Sequence, residues 1–177
     1  MTLNELIQKA EAIGFSHVGE LNMEALKFLP AVRDMCSSDK CQAYNKKWSC
    51  PPACGTLEEC AERVKGYTAG VLVQTTAELE DSFDFEGMAD AAKKHGEMFM
   101  QLHDELTSAK EKCYFMGTGG CTLCKECTYP DAPCRFPEKM VSSMEANGLL
   151  VSDVCKDSGL PYYYGKDTLT YTALVLI

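Results

Sequence analysis

Cys121-Thr-Leu-Cys124-Lys-Glu-Cys127 sets three thiols at C-x2-C-x2-C spacing. Thiols so placed can wrap three corners of an iron–sulfur cubane. The bacterial ferredoxin run shares the spacing, then continues with x3 and a fourth cysteine before proline. Here the last interval is x6, to Cys134, followed by Arg135-Phe136-Pro137. One zinc ion usually draws two cysteines from each of two knuckles. A third cysteine two residues past a knuckle is awkward around a single small ion, whereas a cluster spreads its irons over a larger volume. Gly117, Gly119 and Gly120 let the backbone turn sharply and aim amides at sulfur. The expectation is a [4Fe-4S] cluster on Cys121, Cys124, Cys127 and Cys134, with Cys155 in reserve for the fourth position and zinc as the alternative.

A second set of thiols, Cys36-x4-Cys41-x8-Cys50-x3-Cys54-x5-Cys60, is less regular. Pro51-Pro52 after Cys50 stiffens the chain and removes two competing amide donors. Cys54 stands two residues before Thr56, where Thr56-Leu57-Glu58-Glu59 reads as a capping box at a helix start. A helix N-terminus lowers a thiol pKa and favours an anionic cluster. The Cys134 region repeats the order of cysteine, proline and helix start. Cys36, Cys41, Cys50 and Cys54 are the expected ligands of a second [4Fe-4S] cluster, again with zinc as the alternative. Cys60 falls inside the helix and reads as a buried thiol.

Other reactive side chains read as structural. Cys113 sits in a short apolar stretch and is expected in the core. His17, His95 and His103 match no metal spacing, and His95 reads as a satisfied core histidine. Met98 and Met100 flank Phe99 and suit packing, as does Tyr162-Tyr163-Tyr164. Lys125 and Arg135 either donate to cluster sulfurs, recognise a partner or stay solvated. No nucleotide loop, nucleophile elbow or flavin signature is present.

The elements that must position these loops follow from periodicity. Leu3, Leu6, Ile7, Ala10 and Ile13 predict a helix ended by Gly14. Phe15 to Leu21 suits a strand, and Glu24 to Leu29 a helix broken by Pro30. Met35 to Cys60 is mostly loop, with a helix from about Thr56. Gly70 to Thr76 reads as a buried strand. Ser82 to Ala109 predicts a long helix with Phe85, Met88, Ala92, His95, Phe99, Leu102 and Leu106 on one stripe. A short strand at Cys113 to Gly117, a helix from about Phe136 to Ala146 with Pro137 in its first turn, and a strand from Thr168 to Ile177 complete the chain. Together they predict an α/β fold: a single compact domain over residues 1–177, with a small sheet flanked by helices and cysteine loops at about 35–60 and 119–135.

Composition narrows the function. The chain has 177 residues, 46% of them hydrophobic, enough for a core without disulfides. It nevertheless carries 11 cysteines, an odd count that fits a full disulfide set poorly. The opening Met-Thr-Leu-Asn-Glu-Leu-Ile-Gln-Lys begins an amphipathic helix rather than a signal peptide, and no apolar run approaches a membrane span. A cytoplasmic setting with reduced thiols is expected. The net charge of −9 and the lack of a basic stripe argue against a nucleic-acid partner.

Cys50-Pro51-Pro52 with the upstream cysteines, Gly120-Cys121-Thr-Leu-Cys124-Lys-Glu-Cys127, Cys134-Arg135-Phe136-Pro137-Glu138 and Ser143-Met144-Glu145-Ala146-Asn147-Gly148 together resemble domain-of-unknown-function family 2284. The resemblance runs over nearly the whole chain, and members are similar to proteins of anaerobic bacteria and archaea. It implies metal binding at Cys36, Cys41 and Cys50 and at Cys121, Cys124, Cys127 and Cys134. The family's first motif varies around Cys54. It implies no particular activity. The residues themselves favour a small electron-transfer protein or redox module in anaerobic metabolism, meeting a redox partner through a basic patch on that partner. The alternatives are an enzyme or accessory factor binding a small molecule at an open cluster iron, and a structural or sensory zinc protein.

Overall fold

The computed structural model describes residues 1–177. Helix α1 (Leu3–Ile13) opens on Thr2, whose hydroxyl accepts the Glu5 N–H while the Glu5 carboxylate accepts the Thr2 N–H at 2.7 Å. Gly14, at φ 105°, ends it in the left-handed region that favours glycine. The chain then forms β1 (His17–Glu20), α2 (Pro30–Ser37), α3 (Leu57–Val64), β2 (Gly70–Glu78), α4 (Phe85–Ser108), β3 (Tyr114–Met116), α5 (Val151–Asp157) and β4 (Thr168–Leu176). The strands make one antiparallel sheet in the order β1-β2-β4-β3.

Alternation along the two central strands divides the core. Val71 and Val73 of β2 and Ala173 and Val175 of β4 meet Leu6 and Ala10 of α1 and Phe99, Leu102 and Leu106 of α4. On the opposite face, Leu72, Leu174 and Leu176 meet Met144, Leu149 and Val154. Both faces of β2 are therefore covered, which is why Val71-Leu72-Val73 reads as an unbroken apolar run rather than an alternation. The register sets Val71 opposite Val175 and Leu72 opposite Leu174. This is the single α/β domain expected, with five helices around a small sheet. No helix is long and apolar enough to cross a membrane.

Three local expectations are corrected. Glu24 to Leu29 is not a helix; only a 3-10 turn forms, at Met23–Ala25, and Pro30 opens α2 instead of ending a helix. A residue before proline disfavours helical backbone, and proline suits the first helical position, where no N–H partner is needed. Residues 136–146 form successive turns rather than a helix. Ser143 captures this stretch: its hydroxyl accepts the Ala146 N–H, and its carbonyl accepts the Asn147 side-chain N–H at 2.8 Å. The Gly117 N–H donates to the Ser142 carbonyl and the Gly117 carbonyl accepts the Met144 N–H, so the segment pairs beside β3. On α4, His95, Phe99, Leu102 and Leu106 are buried as the stripe predicts, but Phe85 is 71% exposed because it stands in the first turn, before the helix reaches the sheet. Helix α5 carried no clear sequence signal; its seven residues span under two turns.

Candidate metal centre

The cysteine loops lie between α2 and α3 and after β3, and side chains from the first loop hold the second. Lys47 Nζ donates to the Cys121 carbonyl at 2.7 Å, and the Cys121 N–H donates to Ser49 Oγ at 3.0 Å. Trp48 Nε1–H donates to the Ala132 carbonyl at 3.0 Å, and its ring meets Tyr129 edge-on at 4.9 Å. The Tyr129 hydroxyl donates to Asn45 Oδ1 at 2.8 Å. A Cβ at Gly120 would stand 3.6 Å from Cys50 Sγ, so the backbone of the second loop passes close to a thiol of the first. Sequence reasoning missed the Lys47-Trp48-Ser49 run, whose only signal is its position before Cys50.

Cys121, Cys124, Cys127 and Cys134 all line one narrow cavity. Its other walls include Trp48, Leu123 and Phe136, and no His, Asp or Glu lines it. Arg135 closes the loop by donating to the Glu126 carbonyl at 2.8 Å, a structural task rather than one at sulfur. The cavity offers about 20 Å3, room for one water. The donor chemistry therefore fits a thiolate-bound group, and the thiols that would hold it are half-buried. No three His, Cys, Asp or Glu side chains converge closely enough to hold a single metal ion.

The first set surrounds Cys50. Burial pushes the Cys36 thiol pKa up, with Glu145, Cys41 and Cys50 nearby adding to the rise. Burial likewise raises Cys50, with Cys41 and Cys121 adding. Cys36 Sγ and Cys54 Sγ both face the 145–146 turn, at 3.9 Å from the Glu145 carbonyl and 3.5 Å from the Ala146 carbonyl. Cys54 does not show the lowered pKa that the helix start implied. Burial carries it to about 11, against the pull of Arg33 and Arg63. Desolvation of a buried thiol outweighs the dipole of a short helix. The second half of the helix-start pattern fails too, since no helix follows Cys134.

Cys60 is fully buried, as expected, but two cations attend it. Arg33 Nη2 donates to its sulfur at 3.4 Å and Arg63 Nη1 at 3.8 Å. The same arginines hold the Gly55 and Cys54 carbonyls at 2.8 and 2.7 Å. Arg63 follows Cys60 by three residues on α3, a helical neighbour, but nothing in the spacing of Arg33 announces its part. A cavity of about 410 Å3 is lined by both Cys54 and Cys134, so the two thiol sets border a common space. Cys121 is raised by burial, with Cys134 and Cys124 adding. With Cys36, Cys50 and Cys54 also raised, metal loading at neutral pH must displace protons.

The remaining candidates stay apart from the thiols. Cys113 is partly buried against the core below α4, and burial with Glu111 nearby raises it to about 11. Cys155 is fully buried beside Gln74 and Thr172. Tyr164 stacks on His17 at 4.1 Å and donates to Gln74 Oε1, while Tyr162 and Tyr163 are exposed. His95 is buried but only half satisfied: Nδ1 meets Thr75 Oγ1 at 2.8 Å, and Nε2 has no partner.

No curated protein matches the sequence. Among solved structures, an epoxyqueuosine reductase overlaps 98% of this chain and 44% of its own, at 14% identity and TM-score 0.45. An epoxyqueuosine reductase from Bacillus subtilis overlaps 97% and 44%, at 12% identity and TM-score 0.44. The chain spans less than half the length of either, and superpositions this loose leave its chemistry to be argued from its own residues. The family model for predicted metal-binding proteins, DUF2284, matches residues 19–177, and the chain belongs to that family.

Proposed function

We propose that the chain is an iron–sulfur protein that carries electrons, with one [4Fe-4S] cluster on Cys121, Cys124, Cys127 and Cys134 and a second on Cys36, Cys41, Cys50 and Cys54. One observation carries the reading: four thiols from one loop line a single cavity whose walls offer no carboxylate or imidazole ligand. An all-thiol set suits iron–sulfur clusters and zinc alike. The C-x2-C-x2-C spacing of three of these thiols favours the larger group.

The protein's part is to hold, shield and connect. The clusters supply one-electron chemistry. Trp48 covers the second thiol set from the side of the first loop. Arg33 and Arg63 place positive charge beside the first set, offsetting the negative charge that thiolates and cluster bring. The border shared by Cys54 and Cys134 gives a short route between the two sets. With a net charge of −9, the surface suits a transient redox partner bearing a basic patch, in the reducing cytoplasm.

Iron, sulfide and zinc analysis of anaerobically prepared protein tests the reading. About eight irons and eight sulfides per chain are expected. About four would confine the cluster to one loop. Zinc at one or two equivalents, with no brown chromophore, would reject iron–sulfur chemistry.

A further inference from the structure

A cavity of about 670 Å3 lies between α4 and the segment that leaves β3. Its volume falls within the range of small-molecule sites. Phe99 and Met100 of α4, Leu123, Val141 and Tyr171 give it apolar and aromatic walls. Gly117, Gly119, Gly120 and the backbone of Cys121 form the side nearest the second thiol set. An occupant would thus lie against the loop that carries the cluster in the proposed function.

Two independent features point to an occupant. The first is His95, 1% exposed and part of the cavity lining. Its Nδ1 is paired with Thr75, and its Nε2 finds no partner in the protein. A buried polar atom without a partner is costly, and native structures rarely leave one so. The second is Gly96, also in the lining, in the interior of a 24-residue helix. Glycine weakens a helix interior, yet no neighbour requires it here: an added Cβ would meet nothing within 4 Å. Gly96 is solvent-exposed, so its missing side chain leaves the mouth of the cavity open.

The electrostatics select a neutral guest. Lys93 and Lys139 line the cavity, but Glu97 stands 4.0 Å from the first and Asp104 2.7 Å from the second. Burial drives the His95 pKa down to about 4, so its ring is neutral and carries one N–H. In the tautomer where the Thr75 hydroxyl donates to Nδ1, the N–H sits on Nε2 and seeks an acceptor.

We propose that this cavity binds a flat, uncharged ring compound whose carbonyl accepts a hydrogen bond from His95 Nε2, the chemistry of a quinone, held beside the second cysteine loop. A redox purpose for the guest rests on the proposed cluster function; the binding itself does not.

Duroquinone is a suitable probe, because its fully substituted ring leaves no carbon open to thiol addition. Calorimetric titration into the anaerobic, oxidised holoprotein should show one saturable site per chain. The side-chain nitrogen resonance of His95 Nε2 should move as it fills. His95→Phe should weaken binding by about 5- to 10-fold, the worth of one buried hydrogen bond. Gly96→Leu should abolish it by filling the cavity while keeping the helical circular dichroism of the native chain. Failure to saturate, or equal binding by the native chain and Gly96→Leu, would overturn the inference. If the protein holds zinc instead of iron yet binds duroquinone in a Gly96-sensitive way, the cavity inference stands and the electron-carrier reading falls. If both clusters are present and no quinone binds, only the cavity inference falls.

Discussion

Cys50, Cys54 and Cys60 lie beneath the surface against α3 and the 145–146 turn, while Cys121, Cys124, Cys127 and Cys134 stand half-buried on a loop without regular structure. The first set is framed by two arginines and by carbonyls that follow from the fold. The second is closed mainly by its own backbone and by the Trp48 side chain. The same thiol thus occurs in two settings. Folding fixes most of the first site, and occupancy must finish the second, since its cavity is too narrow as it stands. Two members of the first set depart from this: Cys36 is only half-buried, and Cys41 is exposed on a stretch where Asp39, Gln42 and Asn45 all take left-handed backbone.

The sharpest break in this comparison comes from ligand replacement. Cys124→Ser should remove about four of eight irons and leave the rest, and Cys36→Ser should do the reverse. Cys113→Ser should leave both sets intact. A variant in either loop that loses all metal would show that the two sites load as one.

A large stability effect should come from the wall behind the second loop. His95 is held neutral by burial, with its pKa lowered from 6.5 to about 4. The unfolded chain therefore binds more protons than the folded one between these values. The stability is fully present above pH 6.5 and is lost as pH falls toward 4, by about 3 kcal/mol. Urea denaturation across this range should show the slope in the native protein and its loss in His95→Phe.

Smaller changes should separate the loops further. Trp48→Phe deletes the bond to the Ala132 carbonyl and should cost about 1 kcal/mol. Amide exchange should rise in residues 128–134 and stay unchanged around Cys54. Gln42, at φ 56°, pays for left-handed backbone without using its exposed side chain. Gln42→Gly should stabilise the metal-free protein by about 0.5 kcal/mol, measured by its urea midpoint.

Long periodic signals made most of the fold legible. The stripe on α4, the capped α1 and the apolar run in β2 each rest on many residues that agree. The errors fall where a few side chains decide. Pro30 signals both a stop and a start, and only the chain beyond it tells which. Ser143 and Asn147 divert backbone groups that a helix would have used. At the candidate site, local spacing revealed the thiols that share one cavity, because all four lie within a short loop. It could not reveal Arg33, which reaches Cys60 only through the packing of α2 on α3, whereas Arg63 stands one turn along the same helix as Cys60. Nor could it reveal the unmet nitrogen of His95, since a helix stripe says that a residue is buried and nothing of what its polar atoms meet.

Strand β4 is the last element in the sequence and stands between β2 and β3. Every cysteine precedes it. On a ribosome, which releases about 5–20 residues per second, all the thiols therefore emerge before the sheet can close. Cys50, Cys54 and Cys60, buried in the folded protein, are open to metal and to oxidants in that interval. The second loop stays within reach afterwards. In the proposed reading, metal best reaches the buried Cys50 and Cys54 early, while the half-buried second set stays reachable on the finished protein.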